Sequence, residues 1–317
     1  MSARRQRGIA LLVAVVMMAM CTIVAAAITY RKAMTERRSA ATFTMEQALQ
    51  AGMAAEGLAA IALEDDAANQ RTALHNDWAQ PVGPVPIEGT DIYITAQLED
   101  MTSRLNLNSL VKWDAQRNIF VEDPRQVMVF RALLQSLDID QRYADLLVDW
   151  LDNDINPQAM GGGEDTLYLT QTPPYRPPNT FITHISELLA LPGFGAENYA
   201  KIAPYVTALP ADVRVNPCTA SGLILDMNNN DGQTQWQNAP LAENRKKACW
   251  PTWTEVQAAF SDPAKANDAQ QYYNEKSDWF RLRTNIRIGT AEFVLYSVLF
   301  REGNNRVRTV QRSFGSE

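Results

Sequence analysis

Five carboxylates crowd one short stretch of the chain. Asp149, Asp152 and Asp154 lie in Asp149-Trp-Leu-Asp152-Asn-Asp154-Ile-Asn-Pro157, and Glu164 and Asp165 follow the glycine run Gly161-Gly-Gly163. Asp145, Asp149 and Asp152 recur at i, i+4 and i+7, which places them on one face of a helix, opposite Leu147 and Leu151. The cluster sits where that helix must end. There the backbone dipole is already negative, and each carboxylate costs a few tenths to about 1 kcal/mol without a nearby cation. Crowded like charges add to the cost. A hard dication such as Ca²⁺ would offset it, because it takes six to eight oxygens from carboxylates, carbonyls and water. The glycines would let backbone carbonyls turn inward. Two other readings remain open at this point: a solvated acidic loop balanced by Arg142 or Arg176, and a hydrolase using a carboxylate pair. For the hydrolase, no partnered nucleophile or oxyanion-hole motif is evident. His75 and His184 are the only histidines and there is no Cys-x-x-Cys, so zinc and histidine-based catalysis are poorly supported.

Two further motifs invite chemistry and give less. Asp226-Met-Asn-Asn-Asn-Asp231-Gly232 loosely resembles an EF-hand loop, but Asp231 stands where the glycine belongs and Gln237 where the bidentate glutamate belongs. It reads as a turn. Leu189-Ala-Leu-Pro192-Gly-Phe-Gly195, followed by a helical Tyr199 to Val206, has the form of a helix-hairpin-helix. Its flanks carry Glu187 and Glu197 with only Lys201 nearby, so a structural hairpin is expected rather than a DNA contact. The formal net charge of −7 also argues against a nucleic-acid partner, which needs clustered lysines and arginines.

The elements that position these residues begin with an apolar anchor. A basic leader, Met1-Ser-Ala-Arg-Arg-Gln-Arg-Gly8, precedes an uncharged run from Ile9 to Tyr30. About 20 apolar residues suffice for a helix to cross a bilayer. Loop charge does not fix its orientation, because Arg4, Arg5 and Arg7 precede the span while Arg31, Lys32, Arg37 and Arg38 follow it. Helix formers continue to about Asp66 with no proline before Pro81, and residues 31–80 read as a stalk. Phe43, Ala48, Ala51, Ala55, Leu58 and Ala62 mark its apolar stripe. Pro81 to Pro86 reads as a linker. Asp91 to Leu98 alternates as a strand, with Arg104-Leu-Asn-Leu-Asn108 as its neighbour. From Pro124 to about Leu209 the pattern is helical, and Asn216 to Pro263 is loop-rich. Alternation returns in Phe280–Ile288, Phe293–Arg301 and Arg306–Arg312, with a hairpin signal at Gly303-Asn-Asn305.

The fold class is therefore α+β. A transmembrane helix (9–30) and stalk (31–80) lead into a small antiparallel sheet (87–112 and 278–317) that carries a large, mainly helical insert (113–277). Cys21 lies in the apolar span as a small filler. Cys218 and Cys249 suggest one disulfide in an exported chain, with two unrelated buried thiols as the alternative.

Glycine between basic leader and apolar helix resembles the type IV prepilin leader, in which a prepilin peptidase cuts after the glycine and the helix is retained. The alternatives are a conventional export signal cut after Ala25-Ala26-Ala27 and a plain signal anchor. The chain further resembles the type II secretion system minor pseudopilin K family. The resemblance rests on Arg7-Gly8-Ile9-Ala-Leu-Leu12, Arg104 to Ser109, Asp149 to Asp154 with Gly163-Glu164-Asp165 and Tyr168, Pro173-Pro-Tyr175, and Ile185-Ser-Glu-Leu188 leading into Pro192-Gly-Phe194. It implies cleavage between Gly8 and Ile9 and N-methylation of Ile9. Losing Arg4, Arg5 and Arg7 would bring the mature charge near −10. Ordinary pilins carry a glutamate at the fifth mature position, and here that position is Val13. The resemblance also implies a tip position with I- and J-type minor pseudopilins, a periplasmic body on an inner-membrane anchor, calcium at Asp149, Asp152, Asp154, Glu164 and Asp165, a Cys218–Cys249 disulfide and no enzymatic activity. A type IV pilus minor pilin and an exported carboxylate hydrolase are the competing functions.

Overall fold

The computed structural model describes residues 5–154, 156–158, 161–229 and 234–315. Its first element, α1 (Arg5–Asp66), is an unbroken helix of 62 residues, about 93 Å long at 1.5 Å per residue. Ile9 to Tyr30 are exposed and apolar enough to cross a membrane. A helix suits that span because its backbone polar groups are satisfied internally. The side-chain hydroxyls follow suit: Thr22 and Thr29 donate to the carbonyls of Ala19 and Ala25 at 2.8 Å. The helix runs straight through Ala25–Ala27. It stops at Asp66, so the far end of the 31–80 segment is not stalk but turns and a short 3-10 helix, Asp77–Ala79.

The second half of α1 lies on a sheet. Its buried stripe is Ala48, Ala51, Gly52, Ala55, Glu56, Ala59 and Leu63. The expected stripe is corrected at two large residues, since Phe43 is 62% exposed and Leu58 is 68% exposed. Close approach selected small side chains instead. A Cβ on Gly52 would stand 2.4 Å from Leu295 Cδ2.

The sheet opens with β1 (Val82–Pro86) and β2 (Ile92–Asp100). The Pro81–Pro86 linker is thus an edge strand, paired antiparallel to β2; prolines are tolerated there because an edge leaves N–H positions unpaired. The chain then leaves the sheet through β3 (Leu105–Asn106), β4 (Val111–Asp114), β5 (Ile119–Glu122), α2 (Pro124–Ser136), α3 (Arg142–Leu151), α4 (Asp165–Tyr168), α5 (Gly195–Ile202), β6 (Val206–Thr207), α6 (Gly222–Asn229), α7 (Leu241–Asn244), α8 (Trp253–Ala258) and α9 (Pro263–Ala269). It returns as β7 (Trp279–Ile288), β8 (Ala291–Arg301) and β9 (Val307–Phe314), giving the order β1-β2-β7-β8-β9, antiparallel throughout. Leu105–Asn106 does not neighbour β2. It pairs in parallel with β6 inside the excursion, because Met101–Ser103 forms a 3-10 turn that carries the chain off the sheet. The helical stretch expected from Pro124 to Leu209 is broken into short pieces, with irregular chain through much of residues 169–184.

One core fills the insert, with Leu110, Phe130, Leu133, Leu147, Phe194 and Ile202 among its buried members. Between sheet and helix, Ala48, Ala51, Ile92, Ile286 and Leu295 form one cluster, and Ala59, Leu63, Trp78, Leu98, Phe280, Leu282 and Leu299 another. Glu56 is buried on this helix face. It accepts hydrogen bonds from Ser297 at 2.6 Å, Thr309 at 2.9 Å and both Nε and Nη2 of Arg312 at 2.7 and 2.6 Å. Burial alone would raise its pKa, but those hydrogen bonds and the Arg312 charge together outweigh it and hold the carboxyl below its usual range.

Candidate metal centre

Every residue of α3 from Tyr143 to Leu151 is buried, so the acidic face of this helix does not look onto solvent. Each carboxylate on it needs a partner. Asp145 receives the guanidinium of Arg131 from α2. Asp149 is 0% exposed and accepts from the backbone N–H groups of Gln158, at 3.1 Å, and Gly163, at 2.6 Å. One carboxylate therefore folds the following loop back over the helix end. The glycines permit it: a Cβ on Gly162 would lie 2.1 Å from Asp149 Oδ2.

That loop gathers three acids. Asp152, Asp154 and Glu164 present oxygens that all lie within 4.8 Å of one another. Asp152 is 2% exposed and Glu164 8%. Asp152 Oδ1 and Glu164 Oε1 are buried and accept no hydrogen bond. Among the described residues, no lysine or arginine pairs with any of the three. The two arginines that could have balanced the cluster are engaged elsewhere, Arg142 with Asp140 and Arg176 with Asp165, both at 3.5 Å. Burial, reinforced by neighbouring acids, pushes Asp152 and Glu164 up to about 7, and burial pushes Asp149 up to about 6 against the pull of its backbone donors. An aromatic wall backs the loop. Tyr168 is fully buried, packs on Trp150 and Tyr175 at 5.4 Å ring separations, and leaves its hydroxyl without a partner.

The five expected carboxylates thus divide. Asp152, Asp154 and Glu164 converge. Asp149 positions the loop. Asp165 points to Arg176 with its side chain about half exposed. Convergent, oxygen-only, unneutralised acids with buried free lone pairs fit a hard dication better than a soft metal.

Two other features anchor the insert. Cys218 and Cys249 form a disulfide beside Ala73. Arg245, buried next to it, donates to the carbonyls of Pro217 at 2.9 Å, Ala220 at 2.6 Å and Trp250 at 2.7 Å. In the EF-hand-like stretch, Asp226 is buried and accepts from the backbone of Trp236 and Gln237 at 2.8 and 3.0 Å, which makes it a loop staple. Asp231 and Gly232 lie outside the described residues.

Comparison with known proteins places this architecture. A family model described as type II secretion system (T2SS), protein K, matches residues 103–211, the stretch that holds the acidic loop. The type II secretion system protein K of Pectobacterium carotovorum is 31% identical, with 98% of this chain and 97% of that protein covered. That of Pseudomonas aeruginosa is 30% identical, over 98% and 94%. The chain belongs to the type II secretion system protein K family. In the solved GspK–GspI–GspJ complex from the enterotoxigenic Escherichia coli type 2 secretion system, one chain is similar in fold at a TM-score of 0.76 and 25% identity. The match covers 88% of this chain and all of that one. Neither a type IV pilus minor pilin nor a hydrolase is favoured by these relatives.

Sequence reasoning missed the residues that join the insert to the sheet in this K-family chain. Asp100, at the end of β2, is buried and accepts from Thr219 at 2.6 Å, Ser277 at 2.7 Å and Thr102 at 2.7 Å, with Asn216 at 3.2 Å. Burial is the largest influence on its carboxyl and raises its pKa in spite of those donors. Apart from Thr102, the partners lie more than a hundred residues away in sequence, so no spacing rule could have found them. The only local signal was an acid closing an alternating strand.

Proposed function

We propose that this chain is a non-enzymatic tip subunit of the type II secretion pseudopilus. It is cut between Gly8 and Ile9 by the prepilin peptidase, methylated on Ile9, and anchored once in the inner membrane with its body in the periplasm. It joins I- and J-type minor pseudopilins there, initiates and caps assembly, and so supports export across the outer membrane. The observation that carries this reading is the near full-length likeness in fold to the K subunit of a solved K–I–J complex. The stalk geometry supports it. The end of α1 is held by the body: Arg301 Nη1 donates to Leu63 O in its last turn at 3.2 Å, and Lys276 Nζ to the carbonyl of Ala67, the residue after the helix, at 3.1 Å. Cations at a helix C-terminus complement its dipole. The insert is therefore fixed above the helix end, where a following subunit would have to stack.

We assign a structural Ca²⁺ to Asp152, Asp154 and Glu164. The ion would supply positive charge to neutralise three crowded acids, two of them buried, and pin the loop that Asp149 folds. The deciding experiment for the function is co-purification of the full chain in detergent with I- and J-type minor pseudopilins from the same bacterium. A stable ternary complex is expected. Failure of the full chain to join them, when I and J join each other, would overturn the assignment.

A further inference from the structure

We propose that the sheet face turned away from α1 binds an extended acidic segment of another protein. This goes beyond the tip reading and uses a surface the stalk helix does not touch. Alternation along β7 sends Phe280, Leu282, Thr284 and Ile286 into the helix-facing core and Arg281, Arg283, Asn285 and Arg287 to the opposite face. Three arginines therefore stand in one row on a chain whose formal charge is −7. Arg281 shares Glu99 on β2 with Arg104, at 2.6 and 2.9 Å. Arg283 and Arg287 are exposed, and neither pairs with a carboxylate among the described residues. Glu292 is the register partner of Arg287 on β8 yet makes no ion pair with it. Arg287 instead lies over the Tyr93 ring, 4.6 Å from its centroid.

The row leads into a cleft. Where β7 and β8 pass beneath the insert, a cavity of about 1250 Å³ opens between Trp279, Arg281 and Tyr296 on the sheet and Arg104, Trp113 and Phe120 on the insert. Small-molecule pockets run about 300–1,000 Å³, so this volume suits a polypeptide side chain with its backbone. Trp113 stands 50% exposed at this site. Side chains on one face of a strand repeat about every 6.7 Å. An extended segment laid along β7 would set carboxylates four residues apart, about 13 Å, against Arg283 and Arg287 and place an aromatic or apolar residue in the cleft.

Charge could equally draw lipid headgroups, but position disfavours them. The first residue of α1 buried on the sheet is Ala48, and Tyr30 closes the apolar span. At 1.5 Å per residue the sheet begins about 27 Å beyond the span, roughly three Debye lengths at physiological salt.

The test uses the full chain in detergent and fluorescence anisotropy. The probe is a labelled peptide alternating glutamate with threonine and ending in phenylalanine. Saturable binding that weakens as salt rises is expected, with an affinity about tenfold lower in the R283E/R287E double variant. The R37E variant, a charge reversal on the exposed stretch of α1 before it reaches the sheet, should bind as the parent does. An unchanged melting curve for the double variant shows that folding is intact. The proposal is overturned if the lysine-for-glutamate peptide binds equally, if the double variant binds as the parent does, if no saturable binding occurs, or if phosphatidylglycerol added to the detergent micelles displaces the peptide through these arginines.

Discussion

Asp152→Asn should change sign with calcium. Without a cation, the folded chain holds Asp152, Asp154 and Glu164 within 4.8 Å of one another. Burial and like charge raise Asp152 and Glu164 to about 7, whereas in an unfolded chain they titrate near 4. The folded state then binds more protons than the unfolded state between those values, so stability falls as pH rises from about 4 to about 7 and is flat above. Three pH units on one carboxyl correspond to about 4 kcal/mol at most, and the protons belong to the coupled cluster rather than to one residue. Removing one charge should recover part of that cost. In excess chelator at pH 8, Asp152→Asn is expected to melt above the parent by several degrees, at about 2–4 °C per kcal/mol for a body of this size.

In calcium the order should invert. At a free concentration 100 times the dissociation constant, binding stabilises the parent by about 2.7 kcal/mol, or about 5–11 °C. The variant, short of one ligand, should gain much less. Calorimetry in buffers of different ionisation enthalpy should also show proton release on binding at pH 6 and almost none at pH 8. Differential scanning of the full chain in detergent checks the inversion. If the variant is less stable than the parent by the same margin in chelator and in calcium, or if calcium moves neither melting curve, the cluster is a plain acidic loop and the ion assignment fails.

Intact mass of the mature chain should place Ile9 first and methylated; a chain beginning at Ile28 would remove the pseudopilin anchor and with it the assembly reading. Reducing Cys218–Cys249, which are 31 residues apart, should lower stability by about 3–4 kcal/mol on the loop-entropy estimate; an unchanged melting curve after complete reduction contradicts that. Glu56→Gln should destabilise the stalk–sheet contact by about 2 kcal/mol, because Arg312 loses its buried partner but can reach water. The parent's Glu56 contribution, from a carboxyl held low, should be present at neutral pH and lost as the pH falls below about 4; a variant as stable as the parent at pH 7 removes this account. Val13→Glu should leave immunogold label confined to filament tips, since the body still covers the helix end; label along the shaft would show that the missing acid, not the body, keeps the subunit there.

How much of this was readable follows from the range of the forces involved. The apolar span is a composition signal, and α1 carries it without a break. Alternation in Phe280–Ile288 is enforced by a helix on one face and solvent on the other, so β7 was visible in the sequence, as were β8 and β9. Leu105–Asn106 deceived because its parallel partner, Val206–Thr207, is a hundred residues away. Phe43 and Leu58 are bulky yet exposed, because α1 lies so close to the sheet that alanine and glycine fill its contact face. At the acidic loop, crowding of carboxylates was plain, but their division was not. Which acid turns to backbone N–H groups and which to an arginine depends on where Gln158, Gly163 and Arg176 fold, and no periodicity encodes that.

Buried polar groups couple the two halves of the molecule. Asp100 ties the end of β2 to Thr219 beside the disulfide and to Ser277 at the return to β7. Arg301, 3% exposed at its side chain, holds the last turn of α1 through Leu63 O and lies 3.6 Å from Asp66. Such networks are costly unless fully satisfied, and their geometry is directional where apolar contact is not. A greasy joint would let the insert slide over the helix end. A hydrogen-bonded one fixes its bearing relative to the membrane anchor, as a subunit meant to terminate a helical stack requires. The same rigidity holds the arginine row of β7 at a constant height above the bilayer, so a partner segment that met it would be presented in one register.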